Sequence, residues 1–185
     1  RNQSQIFFQI SGAGHEAILT AAAMAFKPGY DWFFPYYRDR ALCLTLGLTP
    51  YDMFLAAVGA QDDGMSAGRQ MPSHWSSQRL NIPTQSSVVA SQVLHAVGCS
   101  EATVRYRALG VGPLNGAPVH ADEVTYVSIG DGGTSEGEFW EALNTACTGR
   151  LPLVILVEDN GYAISTPVVA QTPGADIGRL VEGFP

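Results

Sequence analysis

Residues 124–167, VTYVSIGDGGTSEGEFWEALNTACTGRLPLVILVEDNGYAISTP, decide the fold. Val124–Ile129 and Leu153–Glu158 are runs rich in β-branched residues, the pattern of parallel strands covered on both faces. Between them, Ser135 and Glu138 have the spacing of a capping box that opens a helix. Phe139, Ala142, Leu143, Ala146 and Cys147 recur on one face of that helix. Gly149 ends it and Pro152 blocks its continuation. A strand–helix–strand unit of this kind crosses over right-handed. Both turns, Gly130-Asp131-Gly132 and Asp159-Asn160-Gly161, therefore fall at the carboxyl edge of one sheet, where open α/β sheets bind ligands.

The chemistry of that edge follows from its residue types. Asp131 offers a charged oxygen and Asn160 a neutral one. Gly130, Gly132 and Gly133 let the backbone turn sharply and let an anion come close. A helix opening at Ser135 aims free amides and its positive dipole end at that anion. A small hard cation that keeps phosphate oxygens in its shell needs few protein ligands, so the set fits Mg2+ holding a diphosphate. A lone Gly-Asp-Gly is more often a plain turn with a self-capping Asp. Coupling to Asn160 across a complete crossover favours the site.

Outward from this unit the signals weaken. Ser11–Phe26 reads as a helix of small and apolar residues. Residues 28–40 read as an irregular segment whose Trp32–Tyr37 cluster forms a buried aromatic wall. Thr49-Pro50 caps a helix that runs to about Ala60, and residues 69–85 form an ordered loop. Ser86–Val97 reads as a small-residue helix closed by Gly98, and residues 110–122 as a turn-rich connection. The 185 residues suit a single domain, 1–185, with a real core. Two clear strands are too few for a closed sheet, so the chain reads as incomplete, cut short at its C-terminal side. A net charge of −7 with only 10 Lys and Arg excludes nucleic acid and anionic membrane as natural partners. No apolar run is long enough to span a bilayer. Cys43, Cys99 and Cys147 lie far apart in apolar contexts and read as buried reduced thiols of a cytoplasmic compartment.

Beyond these patterns, several stretches resemble one family. Asn160 lies 29 residues after Asp131, the spacing of the thiamine diphosphate motif. With YYRDRA (36–41), GRQMPSHW (68–75), TQSSVVASQ (84–92) and DNGYAISTP (159–167), the chain is similar to alpha subunits of 2-oxo acid dehydrogenases. The branched-chain, 2-oxoisovalerate type is nearest. The resemblance implies an α/β thiamine diphosphate-binding fold, a parallel sheet with helices on both faces. It implies decarboxylation of a 2-oxo acid and transfer of the acyl group to a lipoyl group. The partners it implies are a beta subunit or domain and a lipoyl acyltransferase core. A eukaryotic member would lie in the mitochondrial matrix.

Residue by residue, the resemblance makes Asp131, Asn160 and the carbonyl of Tyr162 ligands of Mg2+. Gly130, Gly132 and Gly133 become backbone contacts to diphosphate, with Tyr37 and Arg38 binding it from the other side. Ser87 and Val89 touch the aminopyrimidine, Ile164 lies beside the cofactor ring, and His74 reaches substrate. His74 as a satisfied structural histidine is the competing reading. Ser86, Val88, Ser91 and Gln92 align with a structural K+ site. Asp159 departs from the usual Asn, and Glu158 stands where some relatives are basic. The family's second catalytic histidine lies on a loop beyond this stretch of chain, and the carboxylate that activates the cofactor's pyrimidine ring comes from the partner beta domain. This chain alone is therefore not expected to turn over substrate. Pyruvate or acetoin as substrate, or an inactive cofactor-binding fragment, are the rival readings.

Overall fold

The computed structural model describes residues 6, 8–113, 116 and 118–185. They form two compact units, one ending at Ser87 and the other beginning at Val88.

The first unit contains α1 (Glu16–Ala25), β1 (Trp32–Phe34), α2 (Arg40–Leu46) and α3 (Pro50–Ala57). Helix α1 starts later than expected, because Ser11–Gly14 form a turn of their own. The Ser11 hydroxyl accepts from Ala13 N and the Glu16 carboxylate from Gly14 N. The segment 28–40 is less irregular than the sequence suggests, since Trp32–Phe34 is extended strand. Phe33 is buried there and meets Phe26 edge to face at 5.8 Å. Helix α3 opens with a complete capping box. Asp52 N donates to the Thr49 hydroxyl and Thr49 N to the Asp52 carboxylate, with Pro50 in the first turn. Leu19, Leu42, Cys43, Trp75, Leu80 and Ile82 make the core. The loop over 69–85 is pinned to that core, since Trp75 Nε1 donates to Tyr36 O at 2.9 Å.

The second unit contains α4 (Ser91–Leu109), β2 (Thr125–Gly130), α5 (Gly137–Gly149), β3 (Leu153–Glu158), the hairpin β4 (Tyr162–Ala163) and β5 (Thr166–Pro167), and α6 (Ile177–Val181). Strands β2 and β3 pair in parallel from Thr125↔Leu153 to Gly130↔Glu158, with α5 as the crossover. Every residue of β2 is buried, as a strand covered on both faces requires, whereas β3 is only half covered.

Two expectations about helices fail here. Helix α4 does not stop at Gly98; it runs through it to Leu109 and closes at Gly110, where φ is +66°. Buried Val93, Ala96, Val97, Ser100 and Thr103 anchor it on both sides of the glycine, and packing overrides the propensity cost. A Cβ at Gly98 would meet nothing within 4 Å. Gly98→Ala is therefore expected to stabilise the protein by roughly 0.5–1 kcal/mol, seen as a higher urea midpoint at unchanged slope. An unchanged or lower midpoint would contradict it.

Helix α5 opens at Gly137, not at a Ser135 capping box, and Glu136 at its N-cap makes no side-chain cap. Residues 131–135 instead close a tight 3-10 turn, held by the Thr134 hydroxyl donating to Asp131 O at 2.7 Å. At the far end the left-handed residue is Arg150 (φ +47°), one past Gly149.

Cys43 is buried, Cys99 and Cys147 are half-buried, and all three are thiols and not disulfides. Burial pushes the Cys99 thiol up to about 11, so it stays protonated at neutral pH. Among the described residues no helix is long and apolar enough to cross a membrane.

Candidate functional site

The parallel pairing of β2 and β3 brings Gly130 and Glu158 side by side, so the two turns that follow share one edge. Asp131 enters the turn after β2 and is 2% exposed. Its Oδ1 accepts from Asn160 N at 3.4 Å and its Oδ2 from Gln171 Nε2 at 3.1 Å. Both donors are neutral. Among the described residues no ion pair involves Asp131. Glu158, 2% exposed, places a second buried carboxyl group at the same edge. A buried carboxylate facing only neutral donors is poorly compensated, and a cation is the natural complement.

The oxygen donors around it are arranged by the second turn. Asp159 Oδ1 accepts from Gly161 N at 2.8 Å and Asn160 Oδ1 from Tyr162 N at 3.0 Å. These side-chain-to-backbone bonds fold the Asp-Asn-Gly segment, with Gly161 left-handed at φ +80°. Tyr162 stands opposite Pro167 in the hairpin, while the next pair outward, Gly161 and Val168, is hydrogen-bonded at 2.9 Å. The alternation of an antiparallel ladder then turns the Tyr162 carbonyl away from β5, and Pro167 has no N–H to offer it. Asp131, Asn160 and Tyr162 can thus each present an oxygen. Among the described residues no group of three His, Cys, Asp or Glu could hold a metal. The set fits a hard cation that takes part of its shell from phosphate.

Gly132 and Gly133 carry a packing constraint that the sequence does not show. Gly130, Gly132 and Gly133 have ordinary negative φ, so no left-handed turn demands them. Close packing does. A Cβ on Gly132 would lie 2.5 Å from Ala163 Cβ, and one on Gly133 2.6 Å from Ile129 Cγ1 and 3.4 Å from Val89 Cγ1. This places Val89 directly on the glycine turn.

Ile164 is the strained residue of the site. It occupies the first of two central positions of the β4–β5 turn with φ +57°, and its side chain is fully exposed. Glycine is the usual occupant of such a position, and a β-branched residue there is a genuine outlier. Ile164→Gly is expected to stabilise the ligand-free protein by roughly 1–2 kcal/mol, since no buried contact is lost. A lowered melting temperature would refute this account of the turn.

In the first unit, Tyr37 and Arg38 lie together, with the guanidinium carbon 5.4 Å from the Tyr37 ring centroid. Arg38 Nη1 donates to Ser11 O, and among the described residues its buried Nε has no hydrogen-bond partner. Tyr36 stacks on Tyr37 at 3.9 Å, and burial holds the Tyr36 phenol well above its ordinary pKa. His74 is 6% exposed and uses both ring nitrogens. Nδ1 lies 3.2 Å from Pro72 O and Nε2 2.9 Å from Ser87 Oγ. A carbonyl only accepts, so Nδ1 carries a proton; a lone pair on Nε2, when present, accepts from the Ser87 hydroxyl. A cavity of about 210 Å3 in this unit is lined by Met53, Phe54, Trp75 and Arg40 among others, and by none of the expected site residues.

Of the residues aligned with a K+ site, Ser86 belongs to the first unit and Val88, Ser91 and Gln92 to the second. The Ser91 hydroxyl donates to Val88 O at 2.8 Å, and Gln92 Nε2 donates to Ser128 O at 3.1 Å. Gln171 escaped the sequence reading, because a single amide 40 residues after Asp131 belongs to no motif.

Comparison with known proteins supplies the rest. The family model described as dehydrogenase E1 component matches residues 1–184. The chain is 34% identical over 180 residues to the 2-oxoisovalerate dehydrogenase subunit alpha of Bacillus subtilis, covering 97% of this chain and 51% of that protein. It is 37% identical over 171 residues to the mitochondrial subunit alpha 2 of the Arabidopsis thaliana enzyme, covering 92% of this chain and 33% of that one. With the 3-methyl-2-oxobutanoate dehydrogenase subunit alpha of Mycobacterium tuberculosis it shares 30% over 184 residues, covering 100% of this chain and 44% of that protein. The chain spans about half, or less, of the length of these relatives. In structure it is similar to a Mycobacterium smegmatis protein assigned as a thiamin diphosphate-dependent enzyme. The TM-score is 0.53 at 22% identity, over 95% of this chain and 27% of that one, a likeness of fold.

Proposed function

The chain belongs to the dehydrogenase E1 component family, and from that premise we propose that it supplies the metal- and diphosphate-binding part of a thiamine diphosphate-dependent 2-oxo acid dehydrogenase. The substrate is a branched-chain 2-oxo acid, in keeping with the names of its relatives. One observation carries the cofactor reading: the Asp131 carboxylate is buried at the strand edge and faces only neutral donors.

In this reading Asp131, Asn160 Oδ1 and the Tyr162 carbonyl hold Mg2+. The backbone of Gly130–Gly133 would contact the diphosphate, and within the first unit Arg38 beside Tyr37 would be a phosphate partner. When bound, thiamine diphosphate supplies the electron sink that decarboxylation of a 2-oxo acid requires. Ser87 and Val89 would touch its aminopyrimidine, and Ile164 would lie beside the cofactor ring. His74, oriented by the Pro72 carbonyl at Nδ1, turns its Nε2 towards Ser87 and would be the group that reaches substrate. K+ at Ser86, Val88, Ser91 and Gln92 would brace the start of α4. A beta subunit completes the enzyme and a lipoyl acyltransferase core accepts the acyl group. Cysteines kept as thiols suit a reducing compartment, the cytoplasm or the mitochondrial matrix of a eukaryote.

The test is reconstitution of the full protein with its beta subunit and a lipoyl acyltransferase. Thiamine diphosphate should bind only with Mg2+, and 2-oxoisovalerate should turn over faster than pyruvate. Faster turnover of pyruvate would overturn the substrate, and binding that ignores Mg2+ would overturn the cofactor site.

A further inference from the structure

We propose that Gln171 is a positioning residue for the metal-binding carboxylate, holding Asp131 in the orientation that presents its oxygens to the cation. This rests on the reading of Asp131 as an Mg2+ ligand. The Gln171 amide reaches Asp131 Oδ2 at 3.1 Å. The segment that delivers it is fixed at both ends. Val168 N donates to Gly161 O at 2.9 Å, tying the 3-10 turn after β5 to the Asp-Asn-Gly segment. Gln171 N and Thr172 N both donate to Val168 O, at 3.1 and 2.8 Å, and Thr172 is buried. The amide also lies along the glycine turn, with Oε1 3.8 Å from where a Cβ on residue 132 would sit.

The chemistry favours an amide at this place. Each carboxylate oxygen has two lone-pair directions. Gln171 takes one on Oδ2 and Asn160 N takes one on Oδ1, leaving one on each for a metal. A neutral donor orients the carboxylate without cancelling its charge. A lysine there would satisfy Asp131 permanently and compete with the cation, and a carboxylate would repel it. Hydrogen-bond partners of metal ligands typically contribute ten- to a hundredfold to metal affinity.

The experiment measures Mn2+ binding to the full protein by electron paramagnetic resonance, with thiamine diphosphate present and no substrate. Melting of the metal-free protein is recorded in parallel. Gln171→Met keeps the length and removes the donor. It should weaken Mn2+ binding roughly tenfold or more and lower the metal-free melting temperature, because the buried carboxylate loses one of its donors. Gln171→Lys should raise the metal-free melting temperature and weaken Mn2+ more than Gln171→Met does. A residue that merely packs would not give that opposition, and the lysine variant keeps the question answerable if the methionine variant folds poorly. Wild-type Mn2+ affinity in Gln171→Met, or a lysine variant no weaker than the methionine one, overturns the proposal alone. Failure of the wild type itself to bind Mn2+ overturns the metal-site reading and this inference with it.

Discussion

Replacing Asp131 by Asn is expected to move stability and metal binding in opposite directions. The wild-type carboxylate is buried, facing Asn160 N and Gln171 Nε2 and, among the described residues, no ion-pair partner. Without metal, such a charge is a cost of folding. An isosteric amide removes the charge, and the Gln171 amide can turn its oxygen to the new N–H2 group. The metal-free variant should be roughly 1–2 kcal/mol more stable. Mg2+ affinity in the presence of thiamine diphosphate should fall at least about a hundredfold, since a first ligand matters more than the partners that orient it. Chemical denaturation without metal and calorimetric titration with it measure the two effects separately. Loss of stability without metal would mean that Asp131 is a structural anchor, and undiminished Mg2+ binding would remove it from the site.

The second large effect belongs to Gly132. A Cβ there would stand 2.5 Å from Ala163 Cβ and 3.2 Å from Ala163 Cα, both rigid with the hairpin backbone. No rotamer relieves that contact, so Gly132→Ala must push β4 away from the turn after β2. Overpacking of this kind costs about 1–3 kcal/mol. The functional loss should be larger than the stability loss, because the displaced strand carries Tyr162 and is continuous with Asn160. Combining the change with Ala163→Gly removes one of the two clashing atoms. The double variant should recover part of both losses, with a coupling of about 1–2 kcal/mol. Strict additivity would show that the two residues are not in the contact described.

How much of this was legible in the sequence depended on how local the cause was. Leu153–Glu158 was read with its observed bounds, because a β-branched run between turn residues leaves little choice. The Thr49 cap was equally plain, since its partner Asp52 lies three residues away. The two turns sharing one edge followed from the crossover between them. The failures all have causes outside the local pattern. Ser135 has the right spacing for a cap, but the Thr134 hydroxyl and Asp131 O draw those residues into a 3-10 turn first. Gly98 reads as a stop, yet the residues before and after it are buried on one continuous helix. The glycines of the turn after β2 were recognised, while their true constraint lies in Ala163 and Ile129, which only the folded chain brings near. Gln171 carries no pattern at all.

The left-handed Ile164 bears on how this protein could be improved or spoiled in the laboratory. A screen that rewards only heat resistance would find glycine at this position early, since it removes strain and sacrifices no buried contact. The same step would delete the side chain held out beside the proposed metal-binding edge. If Ile164 contacts the cofactor as proposed, ranking variants by melting temperature would favour the turn that serves binding least, and a stabilisation campaign should score binding alongside heat.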